Sequence, residues 1–239
     1  MPAAIPISLK VWGDLACFTT PEARVERLSY PVITPSAARG ILEAIFWKPQ
    51  IRYELDRIVV LRPIRFTSIR RNEIQGTVAV KGSAGVNAWM KDPSGFEPYL
   101  VDSAGRDDVQ GENRTQRNSV LLRDVAYLLE GHLIVKNPTP ADPPAKYREM
   151  FNRRAAQGQC VRQPCLGIRE FAAFFALPDG AETPADESRD LGVMLYDLDF
   201  PTDGPVSARP PECALFAPAK LERGVLDVAA MRRNLYRRA

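Results

Sequence analysis

The chain has 239 residues, 45% hydrophobic and 26% charged, a composition that excludes a disordered, collagenous or coiled-coil protein. No run approaches the ~18 apolar residues of a membrane span. The opening MPAAIPISLKVWGD lacks the basic and apolar regions of a signal peptide, so a soluble, cytoplasmic protein without membrane contact is expected. The net charge is only +3, but the basic side is lopsided, with 25 Arg, 7 Lys and one His. The planar guanidinium fork suits phosphate better than a lysine point charge does.

Ile7, Leu9 and Val11 alternate with Ser8, Lys10 and Trp12, which predicts a half-buried strand over 5–13. Thr34 and Pro35 supply an N-cap and a first helical residue, and Ala38, Ile41, Leu42 and Ile45 recur at helical spacing. A helix over 35–47, stopped by Pro49, follows. Ile51, Tyr53 and Leu55 alternate with Arg52, Glu54 and Asp56 before the phase slips near Arg57, the pattern of a strand with a bulge or bend. The stretch 65–80 is less regular.

In SVLLRDVAYLLEGHLIVK, residues 119–136, the Val, Leu and Tyr content predicts a pair of strands with a turn or bulge at Glu130-Gly131. His132 then reads as a packed or capping residue. A proline-rich connector leads into a second helix over 144–157, where Tyr147, Met150, Phe151 and Arg154 share a face and Asp142 is the candidate N-cap. Lys146 and Tyr147 lie in its first turn, where free N–H groups and the helix dipole favour a phosphate. Beyond it come a β-like run over 166–177, an acidic insertion over 178–190, a strand over 191–200 and a small β-rich tail.

Charge is segregated along this order. Residues 1–91 hold 13 Lys and Arg against 7 Asp and Glu, and Arg52, Arg57, Arg62, Arg65, Arg70 and Arg71 fall within twenty residues. Such a run is either a solvated strand face or a polyanion groove. A second cluster, Arg232, Arg233, Arg237 and Arg238, reads as a solvated terminus. The four cysteines match no common zinc spacing and read as reduced structural thiols, and one histidine is too few for a histidine-rich metal site. No metal and no other cofactor is expected. The β-α-β-(β)-β-α-β order predicts an α+β fold, ferredoxin-like (RNA-recognition-motif-like).

The blocks WGDLACFT, LSYPVITPSAARGILEAIFWKP and IRYELDRIVVLRPIRFTSIRRNEI, then Arg123-Asp124-Val125 and LGIREF, are spread through roughly the first three quarters of the chain. They resemble the fifth family of CRISPR-associated (Cas) proteins in its type I-C form, within the repeat-associated mysterious protein superfamily. The resemblance implies a ferredoxin-like N-terminal domain, here over 1–177, and a smaller C-terminal antiparallel β domain over 178–239. It also implies a metal-independent endoribonuclease that cuts CRISPR precursor RNA within the repeat. Attack of the ribose 2′-OH on the adjacent phosphate would leave a 5′-OH and a 2′,3′-cyclic phosphate. The implied partners are the precursor RNA, the mature guide RNA and other Cas subunits of a type I-C interference complex.

That reaction needs a base near the 2′-OH, a cation on the phosphorane oxygens and a proton for the departing oxygen. The family pattern places a Tyr at the end of the first helix and a Lys-His pair at the start of the second. The matching residues are Phe46, Lys146 and Tyr147, so only the lysine is kept. Lys146 and Tyr147 are the candidate catalytic residues. Arg39, Lys48, Arg52, Arg65, Arg70, Arg71 and Arg153 are the candidate RNA contacts. Tyr53, Tyr30 and, least favoured, His132 are alternative sources of the missing proton-transfer group. A non-catalytic guide-RNA-binding subunit, and a metal-dependent DNA nuclease using Asp107 and Asp108, are the alternative functions.

Overall fold

The computed structural model describes residues 2–23, 26–74, 80–82, 85–95, 114–140, 142–199 and 213–238. Strand β1 (Ala3–Ala16) buries Ile7, Leu9 and Val11, as the alternation predicts, and runs longer than 5–13 at both ends. After the short strand β2 (Arg27–Leu28), helix α1 (Pro35–Ile45) begins on Thr34, whose side-chain oxygen accepts from the Ala37 N–H at 3.2 Å. It buries Ala38, Ile41, Leu42 and Ile45 and ends two residues earlier than predicted. Phe46 is already extended, at φ −152° and ψ 122°.

Strand β3 (Ile51–Val60) pairs antiparallel with the long β5 (Arg114–Val135), and the predicted phase slip is a register shift between Leu55 and Arg57. β5 also pairs with β1 from Ala3 opposite Val135 to Ala16 opposite Leu122. The expected strand pair over 119–136 is therefore a single strand. Glu130-Gly131 is no turn, but the register shift falls opposite it, and Gly131 faces Leu55 in mid-ladder, where its lack of a Cβ lets the backbone of Glu54 and Leu55 approach. Near Asp124, which adopts φ 54°, the β1 ladder skips a residue, and the Asp124 carboxylate accepts from Arg62.

Helix α3 (Pro144–Ala156) buries Tyr147, Phe151 and Ala155, three positions on one helical stripe. Asp142 does not cap it. Pro143 occupies the cap position without a side-chain hydrogen bond. The run 166–177 is mostly turns, since Gly167 at φ 91° breaks extension beside the Cys17 backbone, and only β6 (Phe174–Ala176) is strand. The C-terminal part contains β7 (Arg189–Asp199), β8 (Cys213–Glu222), β9 (Val225–Asp227) and β10 (Tyr236–Arg238). Between the last two lies helix α4 (Val228–Arg233), which no apolar period announced. The final basic cluster is not simply solvated: Arg232 bonds Glu54 at 2.6 Å and Tyr196 at 3.1 Å.

Among the described residues the fold is mostly β, an antiparallel sheet with few helices. Its strand order is β10-β8-β9-β3-β5-β1-β6, with β2 and β4 (Phe66–Ile74) on β5 and β7 on β8. The chain divides into two compact units, residues 1–67 with 120–239, and residues 68–119. The first holds a continuous core in which α1, α3 and the C-terminal Leu221, Leu226 and Met231 all take part. The second contains the far part of β4, helix α2 (Val86–Lys91), a 3₁₀ turn at Pro93–Gly95 and the first residues of β5. There Glu73 pairs with Arg71 and Arg117, each at 3.3 Å. The four cysteines are free thiols, as expected.

Gly131→Ala is expected to destabilise the protein by about 3 kcal/mol, because the added methyl meets Leu55 Cα at 2.8 Å as well as the Glu54 carbonyl. Urea unfolding of the variant against wild type checks this.

Candidate active site

The end of α1 meets the start of α3 at Phe46. Its ring is fully buried, 6.4 Å from the Tyr147 ring, and the Arg154 guanidinium lies over it at 5.4 Å. Phe46 thus offers packing and no exchangeable proton. Around it, Tyr53 donates to the Phe46 carbonyl at 2.6 Å and Arg154 to the Ile45 carbonyl at 3.2 Å. Burial, followed by the charge of Glu43, pushes the Tyr53 phenol up. Tyr53 is therefore a structural donor, and Tyr30 is likewise occupied, accepting from the Leu195 N–H at 3.3 Å.

Lys146 and Tyr147 converge on one carboxylate. Lys146 Nζ donates to Asp142 Oδ1 at 2.7 Å, and the Tyr147 hydroxyl donates to Asp142 Oδ2. The hydrogen bonds from Lys146 and Tyr147, with the charges of Lys146 and Lys48, hold the Asp142 carboxyl below the ordinary carboxylate range. In return the hydrogen bond to Asp142, then burial, raises the Tyr147 phenol. Tyr147 is therefore protonated at neutral pH and suited to donate a proton rather than remove one. Asp142 is the residue that the sequence reading misassigned. Its i,i+4 spacing from Lys146 was the available signal.

Of the candidate RNA contacts, Lys48 is exposed beside this cluster and Arg153 is exposed on the last turn of α3. Arg52 is exposed on β3, 3.6 Å from Glu54, and shares a cleft of about 360 Å³ with Arg39. Arg39 is already engaged, forked onto Asp197 through two bonds of 2.8 Å and onto Glu43 at 2.6 Å. Burial opposes its charge, but these carboxylates outweigh it and raise its pKa. Arg65 lies 4.0 Å from Asp124. Arg70 and Arg71 belong to the other unit, where Arg70 donates to Asn118 at 3.3 Å.

His132 is not packed in the core. It stands on the opposite face of β5 from Leu129 and Leu133, half-exposed, with Nδ1 2.6 Å from Asp56 Oδ2. It lines a separate cleft of about 700 Å³ with Arg57, Glu130 and Arg148. Asp107 and Asp108 lie outside the described residues. Among the described residues no group of three or more His, Cys, Asp or Glu is arranged to hold a metal ion, and no helix is long and apolar enough to cross a membrane.

Solved structures share this mostly β fold. One, described as a CRISPR-associated protein, superposes with a TM-score of 0.66 at 20% identity and full coverage of both chains. Another, the functionally uncharacterised SMU1763c of Streptococcus mutans, gives a TM-score of 0.59 at 19% identity over 95% of this chain and 92% of that one. The chain belongs to the Cas5 family in its Cas5d form, whose description, CRISPR-associated protein (Cas_Cas5), matches residues 7–229. It is 44% identical over 230 residues to the CRISPR pre-crRNA endoribonuclease Cas5d of Mannheimia succiniciproducens, covering 93% of this chain and 94% of that protein. It is 41% identical over 243 residues to the protein of the same name from Thermus thermophilus, covering 97% and 95%.

Asp142→Asn is expected to lower the Tyr147 pKa toward the ordinary phenol value of about 10, because the negative neighbour that opposes phenolate formation is gone. The wild-type contribution of this bond to stability is full below that value and is lost as pH rises through the folded-state pKa. Ultraviolet titration of wild type, Asp142→Asn and Tyr147→Phe, the last identifying the Tyr147 signal, measures the shift.

Proposed function

We propose that this chain is a pre-crRNA endoribonuclease that cleaves CRISPR precursor RNA within the repeat and stays with the guide RNA alongside other Cas subunits. The observation that carries the proposal is its 44% and 41% identity, over more than nine tenths of both chains, to proteins bearing that activity as their name. The retained Lys146, beside Tyr147 at the start of α3, supports the same reading.

In the proposed reaction the ribose O2′ attacks the adjacent phosphorus and the P–O5′ bond breaks, leaving a 2′,3′-cyclic phosphate and a 5′-OH without a metal ion. Lys146 exchanges Asp142 for the phosphate and stabilises the charge gathering on the phosphorane. Tyr147, held protonated, supplies a hydrogen bond or its proton to the departing O5′. Phe46 has no proton to exchange, so the 2′-OH proton passes to solvent and cleavage is slow but confined to one site. Lys48, Arg52, Arg65, Arg70, Arg71 and Arg153 contact the RNA backbone, and Arg39 joins them by exchanging Asp197 for a phosphate. We further assign the ferredoxin-like, RNA-processing part to residues 1–177 and a smaller β part to residues 178–239. The order β1, α1, β3, β5, α3, β6 supports the first assignment. The engagement of both Lys146 and Tyr147 by Asp142 favours a second reading, a guide-RNA subunit that binds the repeat without cutting it.

Single-turnover cleavage of a CRISPR repeat RNA in excess chelator separates the readings. Wild type is expected to give one cut with a 5′-OH product, Lys146→Ala to slow it about 100-fold and Tyr147→Phe by about 10-fold, with repeat binding retained. Tight binding with no product over a long time course establishes the non-catalytic reading instead. An undiminished rate in Lys146→Ala removes that residue from the chemistry.

A further inference from the structure

Trp47 is nearly half exposed, at 48%, although indole is among the most strongly apolar side chains of the chain. Its exposure follows from the backbone. Phe46 is extended and buries its ring completely, and successive side chains of extended backbone point to opposite sides, so the next ring is turned outward. The segment is held on both flanks. The Phe46 carbonyl accepts from Tyr53, the Ile51 N–H donates to the Lys48 carbonyl at 3.0 Å, and Pro49 stiffens the turn between them.

The segment that carries the ring is basic. Lys48 adjoins it and adds its charge to the Asp142 cluster, where Lys146 is half-exposed. The exposed Val161 and Arg162 are fastened to the end of α1, their N–H groups donating to the Ala44 carbonyl at 2.8 and 3.2 Å. Asp142, the carboxylate of the cluster, is already bonded to Lys146 and Tyr147. An outward aromatic face followed directly by the exposed Lys48, on a segment next to the Asp142 cluster, matches a ligand that is anionic along its backbone and carries π-faces. A second protein with an acidic apolar patch would match it less well, because the exposed Trp47 and Val161 are each followed directly by an exposed basic residue, Lys48 and Arg162.

We propose that Trp47 is a stacking platform for one unpaired base of the repeat RNA, setting the register of the strand against Lys146. This inference rests on the RNA-processing reading above. It makes Trp47 a positioning residue, since it touches a base and not the reacting phosphate.

The test measures repeat RNA binding by fluorescence anisotropy and single-turnover cleavage for wild type, Trp47→Ala and Trp47→Phe, alongside wild type with repeats made abasic at one unpaired position at a time. Loss of one stacked base is expected to raise Kd about 5- to 150-fold in Trp47→Ala, with the saturating rate falling less. Trp47→Phe, which keeps a ring, is expected to stay within about threefold of wild type. One abasic repeat is expected to bind wild type and Trp47→Ala alike. Unchanged affinity in Trp47→Ala overturns the inference, as does an equal loss for every abasic position. So does normal repeat binding with failed assembly onto other subunits, which makes the surface a protein contact. Failure of wild type itself to hold the repeat overturns the RNA-processing reading and this inference with it. If Trp47→Ala is unfolded by circular dichroism, the abasic series on wild type decides alone: no single sensitive position means no stacking platform.

Discussion

The carbonyl groups at the C-terminal end of α1 are the joint on which the site depends. A helix leaves its last carbonyls without partners inside the helix, and burying them unpaired costs about 1–3 kcal/mol each. Here three consecutive ones are taken by three different segments. Ala44 accepts from the backbone of residues 161 and 162, Ile45 from Arg154 of α3, and Phe46 from the Tyr53 hydroxyl of β3. Beneath them the Phe46 ring packs against Tyr147, while Tyr53 packs against Phe151 with ring centroids 5.9 Å apart. Satisfying one helix end therefore fixes α1, β3 and α3 relative to one another, and with them every side chain of the Asp142 cluster.

Electrostatics then divides the basic residues into two kinds. Arg39, Arg57 and Arg232 are forked onto carboxylates or carbonyls and stitch elements together across long sequence separations. Lys48 and Arg153 stand exposed around the start and end of α3. Lys146 lies between these kinds, neutralised by a carboxylate four residues away that solvent also reaches. A phosphate competes for such a cation more easily than for Arg39, because an exposed ion pair is worth only about 0–1 kcal/mol. The net charge of +3 thus understates what a polyanion meets locally and overstates how many arginines are available to it.

Much of the local structure was legible because period and capping act over a few residues. The alternation of Ile51, Tyr53 and Leu55, the slip near Arg57 and the Thr34-Pro35 helix start all recur in the structure. The turn expected at Gly131 failed for a physical reason: a glycine signals either a turn or a close backbone approach, and the neighbour that decides between them, Leu55, is 76 residues away in sequence. The run at 166–177 failed similarly, its apolar residues filling the core from turns. Asp142 read as a cap because Asp often caps. Pro143 took that place, which freed the carboxylate for Lys146 and Tyr147.

What the sequence by itself determined is the set of strands and helices that periodicity dictates, the basic first half and the family block with its one retained lysine, since each depends on residues near one another along the chain. Tertiary structure alone decided which charges are spent on ion pairs, that Phe46 is buried where a proton carrier was sought, that Tyr147 is held protonated by Asp142, and that Trp47 faces outward. The physical reason is distance: hydrogen bonds, burial and charge coupling act over a few ångströms in space, and the partners that set them here come from strands and helices up to 178 residues apart.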